Sequence, residues 1–280
     1  MSRCWKLLPA GALCLAALGC DQGKDPVSGA PEEPAARLAV SATEAGGWPG
    51  RMVFGDTVAA FGAQLTTWAR MGARGQVHEI GFTLPLSAVE NAADTTITPG
   101  GGFTSVVAQL PAPVSATTFV NHLALDWGPE GHEPPGVYDV PHFDIHFYGV
   151  DPQSVAAVDC SDETLPSAAS LPPGYFLPPD ACVPQMGMHA LDSRSPELFP
   201  VAPVRFASTV VLGYYGGFLT FLEPMISRER LLLRQDLNLR IPVPAGLAPS
   251  TRYPTRFRAT YDPDADAYRM ALGRFVTVGL

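Results

Sequence analysis

Apolar and polar positions alternate with period two through much of the chain, the pattern of β-strands whose two faces meet different surroundings. Val77 to Leu86 (VHEIGFTLPL) sets Val77, Glu79 and Gly81 against His78, Ile80, Phe82 and Leu84. Ser105 to Leu110, Thr118 to Trp127 and His142 to Val150 continue the series. Arg205 to Tyr215 and Phe218 to Ile226 flank Gly216-Gly217. A Gly-Gly pair supplies the positive φ of a tight turn, so a hairpin is predicted there. Arg256 to Tyr261 and Tyr268 to Val278, joined by Asp262-Pro263-Asp264-Ala265-Asp266, predict another. Helical spacing is confined to Thr57 to Met71 and to Ser227 to Asp236, the latter opened by a serine suited to capping. The 29 prolines cut the chain into short segments and argue against long helices. The expected fold is mainly β: a single β-barrel-like domain with one or two short helices, over residues 37–280.

The most telling segment is Pro141-His142-Phe143-Asp144-Ile145-His146-Phe147-Tyr148. Alternation places His142, Asp144 and His146 on one face and Phe143, Ile145 and Phe147 on the other. One face can bind and the other can pack. Five of the six histidines fall between residues 122 and 189, so this strand belongs to a wider cluster.

The first residues have the layout of a leader. Arg3 and Lys6 precede an apolar stretch from Leu7 to Leu18, shorter than the ~20 residues that span a bilayer. Ala17-Leu18-Gly19-Cys20 resembles the lipobox of bacterial lipoproteins, with Ala17 where that motif usually has Leu. The resemblance implies a signal peptide over residues 1–19, lipidation of Cys20 and an extracytoplasmic, membrane-anchored protein of the bacterial cell envelope. Ordinary cleavage, giving a secreted or periplasmic soluble protein, is the alternative. Residues 20–36, rich in Pro, Gly and acid, read as a flexible tether.

Charge and cysteine usage fit that compartment. The net charge of −9 becomes −11 once the two leader cations Arg3 and Lys6 are removed. With no basic stripe and no aromatic-basic interleaving, nucleic acid is not an expected partner. An acidic surface attracts anionic lipid poorly, which leaves an acyl anchor to hold the protein at the membrane. Beyond the leader and Cys20 only Cys160 and Cys182 remain, and an even pair in an oxidising compartment predicts one disulfide. Such a bridge would pin a Pro-rich loop, stabilising by about 3 kcal/mol in the loop-entropy picture.

Imidazoles and carboxylates that converge suit a divalent transition metal. Strand geometry limits the ligand set. His142 and His146 are separated by about 13 Å at ~3.3 Å per residue, too far to share an ion on a straight strand. Asp144 with one histidine spans about 7 Å and can. The expected ligands are therefore Asp144, His146, His189 and Glu223, with His142, His122 and His132 in reserve. Glu223 lies among Phe221, Leu222, Met225 and Ile226, and a buried carboxylate requires a partner. A self-satisfying polar network and a metal-free pocket stay open beside the metal. Asp126-Trp127 is expected to fix a turn, and Met186, Met188 and Met225 to fill core gaps. No GxSxG elbow and no P-loop is present, and Gly100-Gly101-Gly102 reads as a turn.

The segments DWGPEGHEPPGVYDVPHFDIHFY, LPPGYFLPPDACVPQMGMHALD, GYYGGFLTFLEPMI and YPTRFRATYD resemble the TTHB210-like β-barrel family, a bacterial group of undefined biochemical function. The resemblance runs from about Gly75 to Phe275. It implies a β-barrel-like fold and brings no reaction with it. Three functional readings follow. The first is an anchored barrel whose lumen binds a small molecule or metal. The second is a homo-oligomeric structural protein of the envelope with an architectural polar network. The third is a metal-dependent enzyme in which His142 or Glu223 would serve as acid or base.

Overall fold

The computed structural model describes residues 50–94, 104–179, 181–200 and 204–280. The leader, Cys20, the tether and Gly100-Gly101-Gly102 lie outside the described residues. The first three strands are β1 (Arg51–Ala60), β2 (Ala63–Met71) and β3 (Val77–Pro85). Next come β4 (Thr104–Gln109), β5 (His122–Gly128), β6 (His142–Tyr148), β7 (Tyr175–Phe176), β8 (Cys182–Val183) and β9 (Gly187–Asp192). The last are β10 (Ser208–Tyr215), β11 (Phe218–Ser227), β12 (Leu237–Arg240), β13 (Thr251–Asp262) and β14 (Ala267–Val278). Four short helices interrupt them: α1 (Leu86–Asn91), α2 (Pro113–Thr117), α3 (Pro152–Ala156) and α4 (Arg228–Leu232).

The expected mainly β domain is built from two antiparallel sheets. One has the order β1-β2-β3-β14-β13-β12. The other runs β4-β5-β6-β11-β10-β9-β7, with β8 paired to β9. Neither sheet closes into a hydrogen-bonded barrel among the described residues. The edges meet instead through side chains: the Gln109 amide donates to Asp56 Oδ2 (2.9 Å), and Thr67 Oγ1 donates to the Gln109 carbonyl (2.6 Å).

Both predicted hairpins are present. Gly216 and Gly217, at φ 56° and 81°, turn β10 into β11. The Asp262–Asp266 segment turns β13 into β14, with Asp262 Oδ1 accepting from the amides of Asp264 and Ala265. The helix expected from Ser227 starts where its cap predicts, with Ser227 Oγ accepting from the Arg230 amide (3.2 Å), but ends at Leu232.

The helix expected over Thr57 to Met71 is corrected: that stretch is the β1–β2 hairpin, turned at Phe61 and Gly62 (φ 48° and 76°). Val58, Phe61, Leu65 and Trp68 have helical spacing in the sequence. Folding back at a two-residue turn makes Val58 and Leu65 direct cross-strand partners, so a hairpin reproduces part of that spacing.

The space between the sheets is apolar. Phe143, Ile145 and Phe147 of β6 face it, and Phe147 meets Phe82 and Phe257 of the other sheet at ring separations of 6.3 Å each. A polar lumen is therefore corrected. The histidine face of β6 is turned away from the shared core and is buried by loops instead. Tyr138, Leu191, Phe206, Val211 and Met225 form a second, smaller apolar cluster on that outer side.

Candidate metal centre

The outer face of the second sheet is a grid set by strand register. Asp126 lies directly opposite Asp144, Ala124 opposite His146, and Val211 opposite Glu223. On β11, Phe221 pairs with Tyr148 and Met225 with Asp144, which puts Glu223 beside His146. On β9, His189 pairs with Gly213. A side chain at Gly213 would collide with the Phe221 ring, 2.0 Å from its Cε1. The missing side chain lets that ring pack over β10 and edge-on against His146 (4.8 Å) and His189 (5.1 Å).

The expected ligands divide into two groups. His146, His189 and Glu223 form one, and His132, His142 and Asp144 the other. Within each group one donor atom per residue lies within 4.8 Å of the others. His146 Nε2 is 3.4 Å from Glu223 Oε1, and His189 Nε2 is 3.9 Å from Glu223 Oε2. His142 Nε2 is 3.0 Å from Asp144 Oδ1, and His132 Nε2 is 3.6 Å from Asp144 Oδ2. The separation argued from strand rise holds, with His142 and His146 in different groups. Asp144 keeps company with His142 and His132, not with His146. Each group has two imidazoles and one carboxylate, a donor set that serves Zn²⁺ with a fourth position open, or Fe²⁺.

Histidine orientation is uniform. His189 Nδ1 lies 3.0 Å from the Gly187 carbonyl and 3.3 Å from that of Ala181. His142 Nδ1 is 2.6 Å from the Val140 carbonyl, and His132 Nδ1 is 2.7 Å from the Glu133 carbonyl. Carbonyl oxygens only accept, so these three Nδ1 atoms donate. Each Nε2 then faces its carboxylate. His146 is turned the same way, its Nδ1 2.8 Å from Asp126 Oδ2 but without hydrogen-bond geometry. An outer-lying carbonyl or carboxylate that orients an imidazole is the usual support of a metal-bound histidine.

The groups do not satisfy one another. His142 Nε2, Asp144 Oδ1, both ring nitrogens of His146 and Glu223 Oε2 are buried without a hydrogen bond. Several are within 3.4 Å of an opposite group, yet their directions are wrong for hydrogen bonding. Such atoms cost about 1–3 kcal/mol each when left unpaired. An ion placed between them would meet their lone pairs directly.

Electrostatics divide the members: carboxylates favour charge on His146 and His132, whereas burial opposes it on His189 and Glu223. Burial penalises the protonated form of His146, but Glu223 and then Asp126 outweigh it and push it up to about 9. His132 is also raised to about 9, where the Asp144 carboxylate overcomes burial. Burial, aided by the cationic His146, drives His189 down to about 4. Burial lifts Glu223 to about 7 despite His146. It acts the same way on Asp144, but His132 and His142 hold that carboxyl well below its usual range.

A cavity of ≈ 620 Å³ opens onto both groups. Asp144, His146, His189 and Glu223 lie at its polar side, while Pro134, Pro135, Pro178, Pro179, Met186 and Met225 supply apolar wall. Cys160 and Cys182, sulfurs 2.07 Å apart, are paired as a disulfide and tie down the loop carrying Pro178 and Pro179. Met186 and Met225 thus border the site, whereas Met188 packs in the main core. His122 belongs to neither group: it stacks on Tyr148 (4.9 Å) and contacts Asn121 Oδ1 (3.3 Å). His78 lies on β3 in the other sheet.

Asp126, expected in a turn, is instead a strand residue whose carboxylate lies beside His146 Nδ1. Period-two alternation contained the signal, because His122, Ala124 and Asp126 oppose Leu123, Leu125 and Trp127 on β5. Trp127 is packed as expected, on the core face 4.7 Å from Phe143.

Fold and site together define a two-sheet β protein with a buried His/carboxylate pocket on one outer face. Over residues 72–127 the chain matches the TTHB210-like family, described as "Hypothetical protein TTHB210". The matched span contains β3 through most of β5, including His122 and Asp126. No curated protein and no solved structure matches the chain.

Proposed function

We propose that this is an envelope-anchored binding protein that holds a divalent transition metal through His146, His189 and Glu223 and presents it to a small molecule. The supporting observation is the shared orientation of the histidines, with Nδ1 of His132, His142 and His189 held by carbonyls, Nδ1 of His146 beside Asp126, and each Nε2 turned toward a carboxylate at one cavity. Three protein ligands leave a coordination position toward the cavity. A small molecule with a metal-binding head and an apolar body suits walls of proline and methionine. The lipobox-like Ala17-Leu18-Gly19-Cys20 and the Pro- and Gly-rich residues 20–36 support the envelope location. Among the described residues no helix is long and apolar enough to cross a membrane.

Elemental analysis of the full chain purified without added metal tests the reading. The expected result is a stoichiometric transition metal that disappears in His146→Ala and His189→Ala while the β-rich circular dichroism spectrum persists. Metal-free protein that cannot be loaded with Zn²⁺, and that unfolds on either substitution, would establish the architectural network in its place. A diacylglyceryl adduct on Cys20 in the mass of the mature N-terminus is the expected sign of anchoring, and its absence overturns the anchor.

A further inference from the structure

We propose that His132, His142 and Asp144 form a second, separate divalent-cation site, so that the cavity carries two ions. The inference rests on the same cavity as the function above but on different ligands. His142 is fully buried and Asp144 is 2 % exposed, and their facing atoms Nε2 and Oδ1 make no hydrogen bond. The Val140 carbonyl takes the Nδ1 proton of His142, which turns Nε2 toward a carboxylate oxygen 3.0 Å away. With no hydrogen bond formed between them, a divalent cation is a partner that both atoms can ligate at once. His132 closes the third side, its ring 4.8 Å from that of His142 and its Nδ1 held by the Glu133 carbonyl.

Register explains how the third ligand fits. His142 pairs with Gly128, which has no side chain, and the chain leaving β5 at that glycine brings His132 back over the strand. A bridge between His132 and Tyr138 fixes the returning segment. Tyr138 and Phe206, 5.0 Å apart, wall the site, with Phe206 5.5 Å from His142. Aromatic walls exclude water and strengthen each ion–ligand attraction.

The two sites repeat one donor set at neighbouring rows of the grid. Asp144 and His146, their anchors on β6, are two residues apart, which separates their Cα atoms by about 7 Å. Ion pairs that share one bridging oxygen sit only ~3.5–4 Å apart. The two groups have no residue in common, so removing a ligand of one leaves the ligands of the other in place.

Zn²⁺ titration of chelator-dialysed full chain, with elemental analysis after gel filtration, tests this. Two equivalents are expected in the unaltered protein, falling to one in His132→Ala, in His142→Gln and in His189→Ala. His132→Ala lies on a partly exposed loop and guards against loss of fold in His142→Gln; thermal unfolding of each variant checks this. A single equivalent in the unaltered protein, retained in both His132→Ala and His142→Gln but lost in His189→Ala, would overturn the second site and leave the proposed function standing. Two equivalents unaffected by those variants would overturn it as well. A single equivalent in the unaltered protein that is lost in His142→Gln but retained in His189→Ala would keep this site and overturn the first. No bound Zn²⁺ overturns both.

Discussion

Two glutamates, one on each sheet, are almost completely buried, and they are treated in opposite ways. Glu79 on β3 is held by Arg70 Nε at 2.9 Å and by the Arg258 guanidinium from β13. Arginine never gives up its charge and its fork matches a carboxylate, so Glu79 is answered by the protein itself. Among the described residues Glu223 on β11 has His146 and His189 as its ion-pair partners, and its Oε2 is left without a hydrogen bond. Histidine can exchange its proton for a metal; arginine cannot. The first arrangement is a finished ion network. The second has the chemistry of a site that accepts something.

The largest effect that would separate them is in stability. Glu79→Gln should destabilise by about 2–3 kcal/mol, because hydrogen bonds to two charged guanidiniums are lost. Chemical denaturation would read this as a lower midpoint with unchanged slope. Glu223→Gln should leave the metal-free protein unchanged or about 1 kcal/mol more stable, since it removes a buried carboxylate without a matched partner. The same substitution should abolish one equivalent of Zn²⁺. A large loss of stability in Glu223→Gln would make the two networks alike and favour an architectural role.

The smallest effect is in pH dependence. His132, facing Asp144, and His146, facing Asp126 and Glu223, are raised in the folded state to about 9 from an ordinary value near 6.5. Between these limits the folded protein binds more protons than the unfolded chain, so stability falls as pH rises through the window. Metal-free protein should melt a few degrees lower at pH 9.5 than at pH 6.5. Saturating Zn²⁺ should remove that slope, because a metal-bound imidazole carries no Nε2 proton.

Much of the fold was legible because it is written in local signals. The Gly216-Gly217 turn, the aspartates of the β13–β14 turn and the serine cap of α4 each act within a few residues. The alternation of β6 was equally plain, and it separated Phe143, Ile145 and Phe147 from His142, Asp144 and His146 correctly. The β1–β2 hairpin was not legible, since a two-residue turn brought Val58 and Leu65 together at a spacing that also fits a helix. Asp126 was overlooked for a related reason: its value depends on the neighbour across the ladder, His146, and not on its own sequence context.

The sequence alone determined which residues could carry chemistry and that one straight strand could not place both His142 and His146 on a single ion. Those conclusions follow from residue type and a fixed rise per residue. Tertiary structure decided which side of the sheet became the shared core and put the histidine face on the outside, under loops. It also decided the partnership, giving Asp144 to His132 and His142 and leaving His146 to His189 and Glu223. Cross-strand register and loop return set those contacts, and both depend on pairings between residues far apart in the chain.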